Sequence, residues 1–400
     1  MLAIDGGTPV REEAWPAWPR FERDEVDAVA AVLGSGRVNY WTGTAGRTFE
    51  QEFARYVGVE HGVAVSNGTV ALELALRALG IGPRHEVVVP SCTFVATGSA
   101  VLSVGATPVF ADVGLRSGNL TPETVEPVLT ERTRAVIAVH LGGWPARVAE
   151  LADQCRARGV ALIEDCAQAH GASVGGQRVG SFGDVAAFSF CQDKIMTTAG
   201  EGGMLVTRDE ALARAIWSGK DHGKSWEAVY ERQHPPGFRW LHETLGTNAR
   251  MTEVQAAVGL RQLAKLGGWV QRRRAHADRL RAMLARHPAF DTPEPPDGVE
   301  SAYYRLYTHV RPEALAEGWT RDRLMVALEA EGLPCRVGSC SEIHREKVFE
   351  CLPRPQTPNA HQLSRTALAF TTHPTLTAAA LDDAQRAIDK VMAEAIRPDF

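Results

Sequence analysis

Short runs rich in Val, Ile, Ala and Phe recur through the first half of the chain, and helical patterns separate most of them. The runs lie near 62–66, 86–90, 107–113, 134–141, 160–166, 185–190 and 203–207. Helical patterns cover, for example, 68–79, 145–158 and 208–218. Strands that alternate with helices predict an α/β fold with a mainly parallel sheet covered on both faces. The runs lack a clean apolar/polar alternation, which fits strands buried on both sides.

The pattern changes after Gly246, where a long helical stretch begins. Thr252 to Gln255 has the spacing of a capping box, and helical periodicity continues from there towards Arg286. We predict a break in this helix near the glycine pair at 267–268, because glycine is a poor helix former.

A smaller α+β segment follows the long helix. It contains a predicted strand near 303–310 and predicted helices near 320–331 and 378–395. We therefore predict an N-terminal segment with a large domain over residues 1–250. A linking helix with a small C-terminal domain is predicted over residues 251–400.

Composition excludes several classes of protein. The net charge of −5 gives no basic footprint for nucleic acid. No apolar run approaches the ~20 residues of a membrane span. The first residues are polar and lack the apolar centre of a signal peptide. The seven cysteines are scattered and do not form the two close pairs of a zinc site. We expect a cytoplasmic protein with no structural metal and no membrane or nucleic-acid partner.

The turn Ser66-Asn67-Gly68-Thr69 is a candidate phosphate site. It follows a short apolar run and opens a helical pattern, so it presents free backbone N–H groups at the positive end of a helix dipole. An ordinary helix N-cap explains the same residues, because Ser, Asn and Thr all cap helices. Other candidate site residues in the chain decide between a phosphate site and an ordinary N-cap.

These candidate residues are a lysine and an acid, and each follows an apolar run. Lys194 closes the stretch Phe188–Lys194 and precedes a glycine-rich turn, whereas Asp165 ends a run about thirty residues upstream. Most single lysines are solvated surface charges. In this context, however, the pair is what pyridoxal phosphate needs. The lysine holds the aldehyde as a Schiff base, and the acid keeps the ring nitrogen protonated.

Ordered motifs over nearly the whole chain resemble the DegT family of sugar aminotransferases, within fold type I of the pyridoxal phosphate enzymes. The matching segments are 67–69, 90–97, the cluster Asp165/Gln168/His170, 189–194, 221–223 and 246–251. The resemblance implies a large domain with a mainly parallel seven-stranded sheet and a small C-terminal α+β domain. It also implies that the first thirty-odd residues join the small domain or a dimer interface.

The resemblance also implies roles for particular residues. Catalysis is expected from Lys194 and Asp165. Cofactor contacts are expected from Gly68, Thr69, Phe94, Gln168, Ser189 and Asn248. Ser189 and the 68–69 backbone bind the phosphate, and Asn248 reaches it from the neighbouring subunit. Phe94 stacks on the ring or is plain core, and Gln168 lies near the ring or its hydroxyl.

Three residues are substrate-contact candidates, and one histidine has two open interpretations. Tyr40 lies in a segment that resembles the family's early substrate loop, and Lys220 and His222 lie in the loop after the cofactor lysine. A solvated basic loop explains the last two equally well. His170 either orients the Asp165 carboxylate or is a buried histidine with its hydrogen bonds satisfied.

The predicted function is transfer of an amino group to a keto-sugar nucleotide in amino-deoxysugar biosynthesis, for a cell-surface polysaccharide or a glycosylated metabolite. The donor is expected to be L-glutamate, and the enzyme a homodimer with shared active sites. One alternative is a keto-cyclitol (inosose-type) aminotransferase, and another is a non-catalytic regulator that binds pyridoxal phosphate.

Overall fold

The computed structural model describes residues 1–339, 342–397 and 399. Its helices are α1 Arg23–Ser35, α2 Ala45–Val57, α3 Gly68–Ala78, α4 Val95–Ser103, α5 Pro122–Val125, α6 Val148–Arg158, α7 Glu210–Lys220, α8 Trp226–Tyr230, α9 Glu253–Leu284, α10 Arg321–Ala330, α11 Pro358–Thr366 and α12 Ala378–Ala395. Its strands are β1 His61–Val65, β2 Glu86–Pro90, β3 Thr107–Ala111, β4 Thr133–Val139, β5 Ala161–Asp165, β6 Ser173–Val174, β7 Gln177–Arg178, β8 Val185–Ser189, β9 Gly203–Thr207, β10 Phe290–Asp291, β11 Val299–Glu300, β12 Arg305–Val310, β13 Cys335–Arg336 and β14 Ala367–Thr371.

A seven-stranded sheet in the order β1-β9-β8-β5-β4-β2-β3 forms the centre of the large domain. Only β9 within this sheet runs antiparallel to its neighbours. The seven predicted strands are therefore confirmed, and so is the mainly parallel arrangement. Side chains alternate across the sheet, as the strand period of two requires. Val185 and Ala187 pack into one core, whereas Ala186 and Phe188 pack into the core on the opposite face.

A four-stranded antiparallel sheet, β10-β12-β14-β13, forms the small domain with α10 and α12. Leu2, from the start of the chain, is fully buried in the same core. Ile4, Val10 and Trp15 pack against this core too, whereas Trp18 packs against a core of the large domain. The very start of the chain thus follows the small-domain alternative, and the dimer-interface alternative stays a prediction. A third sheet, β11-β6-β7, has only two residues in each strand.

Helix α9 runs without a break for 32 residues, so the predicted interruption at 267–268 is wrong. Glycine in a helix interior costs only about 1 kcal/mol relative to alanine, which packing on either side offsets. Leu266 and Trp269 are buried in a large-domain core, and Leu280 and Met283 are buried in the small-domain core. Because the helix contributes to both cores, the division of the chain at residue 250 stays a prediction.

The sheet brings the ends of separate strands to one edge. β1 and β8 both run antiparallel to β9, and β5 runs parallel to β8, so all three end at the same edge. The turn after β1, Asp165 at the end of β5 and Ser189 at the end of β8 meet there. Ligands in open α/β sheets gather at such an edge. No described helix is both long and apolar enough to cross a membrane.

Candidate active site

A cavity of about 710 Å³ opens at this edge of the sheet, between the large and small domains. Seven of the residues predicted from sequence line it: Gly68, Thr69, Phe94, Asp165, Gln168, Ser189 and Lys194. Small-domain side chains close the other side: Tyr304, Arg305, Tyr307, Arg336 and Ser339. The sequence interpretation missed these five, because their place in the site depends on how the two domains pack.

The turn between β1 and α3 forms one end of the cavity. Asn67 caps α3, with its Oδ1 accepting a hydrogen bond from the Val70 amide at 2.9 Å. Within the described residues, the Gly68 and Thr69 amides at the start of the helix have no protein acceptor. A Cβ on Gly68 would stand 2.7 Å from Cβ of Ser189, so glycine allows the turn to lie against the end of β8. The result is a small concave donor site suited to an anion.

Asp165 presents a buried carboxylate to the cavity, with 7 % of the residue exposed. Its Oδ1 accepts a hydrogen bond from the Ala167 amide at 3.1 Å, and its Oδ2 accepts one from Thr97 Oγ1 at 3.1 Å. Burial raises the pKa of Asp165, while these two donors and the charge of Lys194 act in the opposite direction. A cationic N–H group placed against this carboxylate would hold it in the charged form.

The preceding residue, Glu164, fixes the end of β5 from behind. Its carboxylate accepts hydrogen bonds from the amides of Gly180, Phe182 and Gly183, each at 2.8 Å, and contacts His140 Nε2 at 3.1 Å. Burial opposes ionisation of Glu164, but the contact with His140 and the backbone donors outweigh it, and the pKa is lowered. The strand end that carries Asp165 is thereby held rigidly.

Lys194 is anchored through its backbone and its neighbours. The indole Nε1 of Trp18 donates a hydrogen bond to the Lys194 carbonyl at 2.8 Å. The hydroxyl of Tyr304 donates to the carboxylate of Asp193. Lys194 Nζ lies 5.1 Å from the centroid of the Tyr304 ring. The N-terminal segment and the small domain therefore both position the loop that carries Lys194.

Gln168 and Phe94 both line the cavity. Gln168 Oε1 accepts a hydrogen bond from the Gly142 amide at 2.7 Å, and its Nε2 donates to Ser339 Oγ at 3.2 Å. Gln168 thus joins the large domain to the small domain across the site. Phe94 precedes α4 and is 63 % exposed, so it is not a core residue. Its ring is available to a flat ligand or to another chain.

His170 fits neither of its two interpretations in full. It is buried against Phe53, Phe188 and Phe190, and neither ring nitrogen has a hydrogen-bond partner among the described residues. Burial lowers its pKa to about 3, so the ring is neutral. It makes no hydrogen bond to Asp165, whose carboxylate is held by the donors described above.

Tyr40 and Lys220 require a correction, because both are buried in a cluster that does not line the cavity. Lys220 Nζ donates to Glu50 Oε1 at 2.6 Å and to the Ala64 carbonyl at 3.1 Å, and the Tyr40 hydroxyl donates to Glu50 Oε2 at 3.1 Å. A buried lysine needs such a partner. In this structure, neither side chain is available as a substrate contact for the cavity.

His222 and Asn248 lie outside the cavity of their own chain. Both are exposed, and the Asn248 backbone bridges to Asp221, while His222 adopts a positive φ of 61°. Nothing within one chain brings either side chain to Lys194. Their roles as a substrate contact and as a phosphate donor therefore stay predictions.

Residues 19–391 match the DegT/DnrJ/EryC1/StrS aminotransferase family. A UDP-N-acetyl-3-dehydro-α-D-glucosamine 3-aminotransferase from Acidithiobacillus ferrooxidans is 38 % identical over 84 % of this chain and 85 % of its own length. An L-glutamine:2-deoxy-scyllo-inosose aminotransferase from Streptomyces kanamyceticus is 39 % identical over 83 % of this chain and 79 % of its own.

Solved structures of aminotransferases share this fold. An aminotransferase from Psychrobacter cryohalolentis is similar with a TM-score of 0.92 and 45 % identity, over 95 % of this chain and 99 % of the other. This similarity confirms the fold type I architecture expected from the motifs. From the family match and these similarities, the chain belongs to the DegT/DnrJ/EryC1/StrS family and is an aminotransferase that uses pyridoxal phosphate.

Proposed function

We propose that this aminotransferase moves an amino group from an amino acid, L-glutamate, to the ketone of a sugar nucleotide in amino-deoxysugar biosynthesis. The assignment of the catalytic residues rests on one observation: Lys194, Asp165 and the donor turn at Gly68–Thr69 all line one cavity. The product would serve a cell-surface polysaccharide or a glycosylated metabolite. The seven cysteines are odd in number and scattered along the chain, which favours a reducing compartment and hence a cytoplasmic location.

The residues present fit the three polar parts of pyridoxal phosphate. The donor turn and the Ser189 hydroxyl suit the phosphate dianion, which needs several N–H or O–H donors. The buried carboxylate of Asp165 suits a protonated ring nitrogen, and the amine of Lys194 suits the aldehyde. Because these groups follow three different strands, β1, β5 and β8, and line one cavity, we assign each to a separate part of the cofactor.

When bound, the cofactor supplies an electron sink for the pair released at the donor Cα. The free amine of Lys194 would take the proton from the donor Cα and would return a proton to the corresponding carbon of the acceptor. Transfer by such a positioned group typically contributes ~10²–10⁴-fold. The carboxylate of Asp165 would accept a hydrogen bond from the ring nitrogen and hold it protonated. The hydrogen bond from Gln168 Nε2 to Ser339 Oγ links the two sides of the cavity.

Gly68→Ala should weaken cofactor binding, because the added methyl would stand 2.7 Å from Cβ of Ser189. A steric clash with a Cβ atom displaces the donor turn, and such overpacking typically destabilises the local structure by about 1–3 kcal/mol. The dissociation constant of pyridoxal phosphate, measured by fluorescence titration of the cofactor-free protein, should rise. Gly34→Ala is the matched control, since a Cβ there meets nothing within 4 Å. Equal affinity in Gly68→Ala and wild type would exclude this turn as the phosphate site.

The acceptor assignment is tested by a substrate panel. Purified protein is supplied with L-glutamate or L-glutamine and with either keto-sugar nucleotides or keto-cyclitols, and the aminated product is identified by mass spectrometry. The proposal requires turnover of at least one keto-sugar nucleotide. The relative from Streptomyces kanamyceticus makes a keto-cyclitol the second candidate. Turnover of inososes alone would overturn the sugar-nucleotide assignment.

We further propose a homodimer with shared active sites. The segment after α8 exposes three large apolar side chains: Phe238 is 79 % exposed, Trp240 82 % and Leu245 89 %. Apolar side chains grouped in this way favour a protein–protein contact. Asn248 follows this segment and is exposed, so an interface here would carry its amide towards the partner chain. A phosphate dianion needs more donors than one turn supplies, and the amide is such a donor.

Mixing two inactive variants tests the shared site. We expect activity to reappear when Lys194→Ala chains exchange with Asn248→Ala chains, because one site of the mixed dimer then carries both lesions and the other carries none. If Asn248 served its own chain, each site would carry one lesion and no activity would return. The test requires that Asn248→Ala alone is severely impaired and that subunit exchange is verified with differently tagged chains.

A further inference from the structure

Tyr303, close to the start of β12, has a strained backbone. Its φ is 44°, a conformation that a bulky residue rarely adopts. Just before it, Ser301 Oγ donates to the Gly143 carbonyl at 2.9 Å, and the Tyr303 amide donates to the same Oγ at 3.0 Å. Strain of this kind persists where surrounding contacts over-determine the chain, and it is concentrated at functional sites. The next residue, Tyr304, lines the cavity, whereas the Tyr303 hydroxyl contacts Arg281 outside it.

Tyr304 contacts two consecutive residues of the large domain. Its hydroxyl donates to the Asp193 carboxylate, and its ring centroid lies 5.1 Å from Lys194 Nζ. Tyr304 is only 8 % exposed, and burial beside Asp193 raises the pKa of its hydroxyl above the ordinary value of 10. The hydroxyl is therefore neutral at physiological pH and does not serve as a proton carrier. Its bond to the residue before Lys194 fixes the ring relative to the lysine.

The Tyr304 ring is well placed to act on the lysine amine. Among the described residues, Lys194 Nζ has no hydrogen bond and no carboxylate within ion-pair distance, so the ring is its polar contact. An ammonium group within about 6 Å of an aromatic centroid is attracted to the ring. The amine becomes such a group when it takes the donor Cα proton, while the electron pair of the Cα–H bond passes to the cofactor. The ring therefore acts on Lys194 during proton transfer.

We propose that Tyr304 is a positioning residue, which holds the amine of Lys194 beside the donor Cα once that amine has left the cofactor. The ring attracts the amine as it gains its proton, and the bond to Asp193 keeps the ring in place. Placement matters because an error of about 1 Å at a reacting group can cost about 10²-fold in rate. This inference rests on the proposed function, since it assumes that Lys194 carries the proton. It links proton transfer to the packing of the small domain, because Tyr304 immediately precedes β12.

Single-turnover conversion of the cofactor absorbance by L-glutamate in the holoenzyme tests the placement. Tyr304→Leu removes the ring, and the rate at saturating donor should fall about 10- to 100-fold. The concentration of L-glutamate that half-saturates the conversion should change little, because the ring positions the lysine and not the donor. Tyr304→Phe keeps the ring and should recover most of the rate. Tyr303→Phe is the matched control, since it removes a neighbouring hydroxyl outside the cavity, and it should match the wild type.

An NMR measurement reports the place of the amine without turnover. The protein is labelled with carbon-13 at the lysine ε-carbons and loaded with pyridoxamine phosphate, which forms no link to Lys194. The chain has six lysines, and the Lys194 signal is the one missing from Lys194→Ala. In the wild type and in Tyr304→Phe, the ring current of the aromatic side chain should shift this signal. In Tyr304→Leu the shift should disappear.

The two measurements separate failure of this proposal from failure of the proposed function. A wild-type rate in Tyr304→Leu, or a Tyr304→Phe variant as slow as Tyr304→Leu, would overturn the proposal. A wild-type Lys194 signal without a ring-current shift would also overturn it, and this result needs no variant at position 304 to fold. A wild-type absorbance that no amino-acid donor changes would instead contradict the proposed function, while the NMR signal would still test where the amine is held.

Discussion

Lys194→Ala should lower turnover by at least about 10³-fold, because the variant loses both the cofactor anchor and the proton carrier. Lys194 Nζ is the amine that faces the same cavity as Asp165 and the Gly68–Thr69 turn. Steady-state product formation measures the loss. The fold should persist, since the loop remains tied through the Trp18 contact to the Lys194 carbonyl, which alanine keeps. Circular dichroism and the thermal unfolding midpoint check this second expectation.

Lys347→Ala is the control for Lys194→Ala, because it removes an exposed lysine that does not line the cavity. It should match the wild type in turnover and in cofactor absorbance. Wild-type rates in Lys194→Ala would contradict the assignment of the catalytic amine. Loss of structure in Lys194→Ala would instead show that the lysine is needed for folding, and a Lys194→Arg variant would then test the chemistry.

Asp165→Asn has the second-largest expected effect on activity. An opposite charge near an ionisable group shifts its pKa by about 1–3 units, so losing the carboxylate weakens protonation of the ring nitrogen and should slow the reaction about 10- to 1,000-fold. Exchange of the donor Cα proton with solvent deuterium, followed by NMR, reports this step without an acceptor. Full exchange activity in Asp165→Asn would show that Asp165 is not the partner of the ring.

Although Asp165→Asn should lower activity, it should raise the stability of the cofactor-free protein. Burial raises the pKa of Asp165 above its ordinary value of 3.8, so in the absence of the ring the charged carboxylate destabilises the folded state. This cost grows as the pH rises through 3.8 towards the folded-state pKa and is constant above it. At neutral pH, cofactor-free Asp165→Asn should therefore unfold at a higher temperature than cofactor-free wild type.

Adding cofactor should reverse this order, because only the wild type gains the contact between carboxylate and ring nitrogen. The difference between cofactor-bound and cofactor-free unfolding temperatures should thus be smaller in Asp165→Asn. Equal stabilisation of both proteins by pyridoxal phosphate would contradict the proposed contact. The paired measurement separates an electrostatic role of Asp165 from a purely structural one.

The parts of the fold that the sequence predicted well are those with a local physical signal. A strand buried on both faces needs a continuous apolar run, so all seven strands of the large sheet were visible. Residues that follow such runs lie at the carboxyl edge, and this rule brought Asp165 and the Gly68–Thr69 turn together, whereas Ser189 was assigned from the resemblance to the family. Lys194 was identified by its place after the run that becomes β8.

The failures share a cause, which is dependence on distant residues. Lys220 resembles a free basic side chain, but its partner Glu50 lies 170 residues away in the sequence. The glycine pair at 267–268 suggests a break, but burial of residues on both sides keeps α9 continuous. Arg305 belongs to an ordinary strand pattern, and only the packing of the small domain brings it to the cavity.

The central claim is that Lys194 carries the cofactor in this cavity. Reduction of the purified holoenzyme with borohydride would fix the linkage between the cofactor aldehyde and its lysine, and peptide mass spectrometry would locate it. The chain has six lysines, so the outcome is specific. The account predicts a pyridoxyl phosphate group on Lys194 and on no other lysine. A label on another lysine, or none on Lys194 in protein that holds the cofactor, would contradict it.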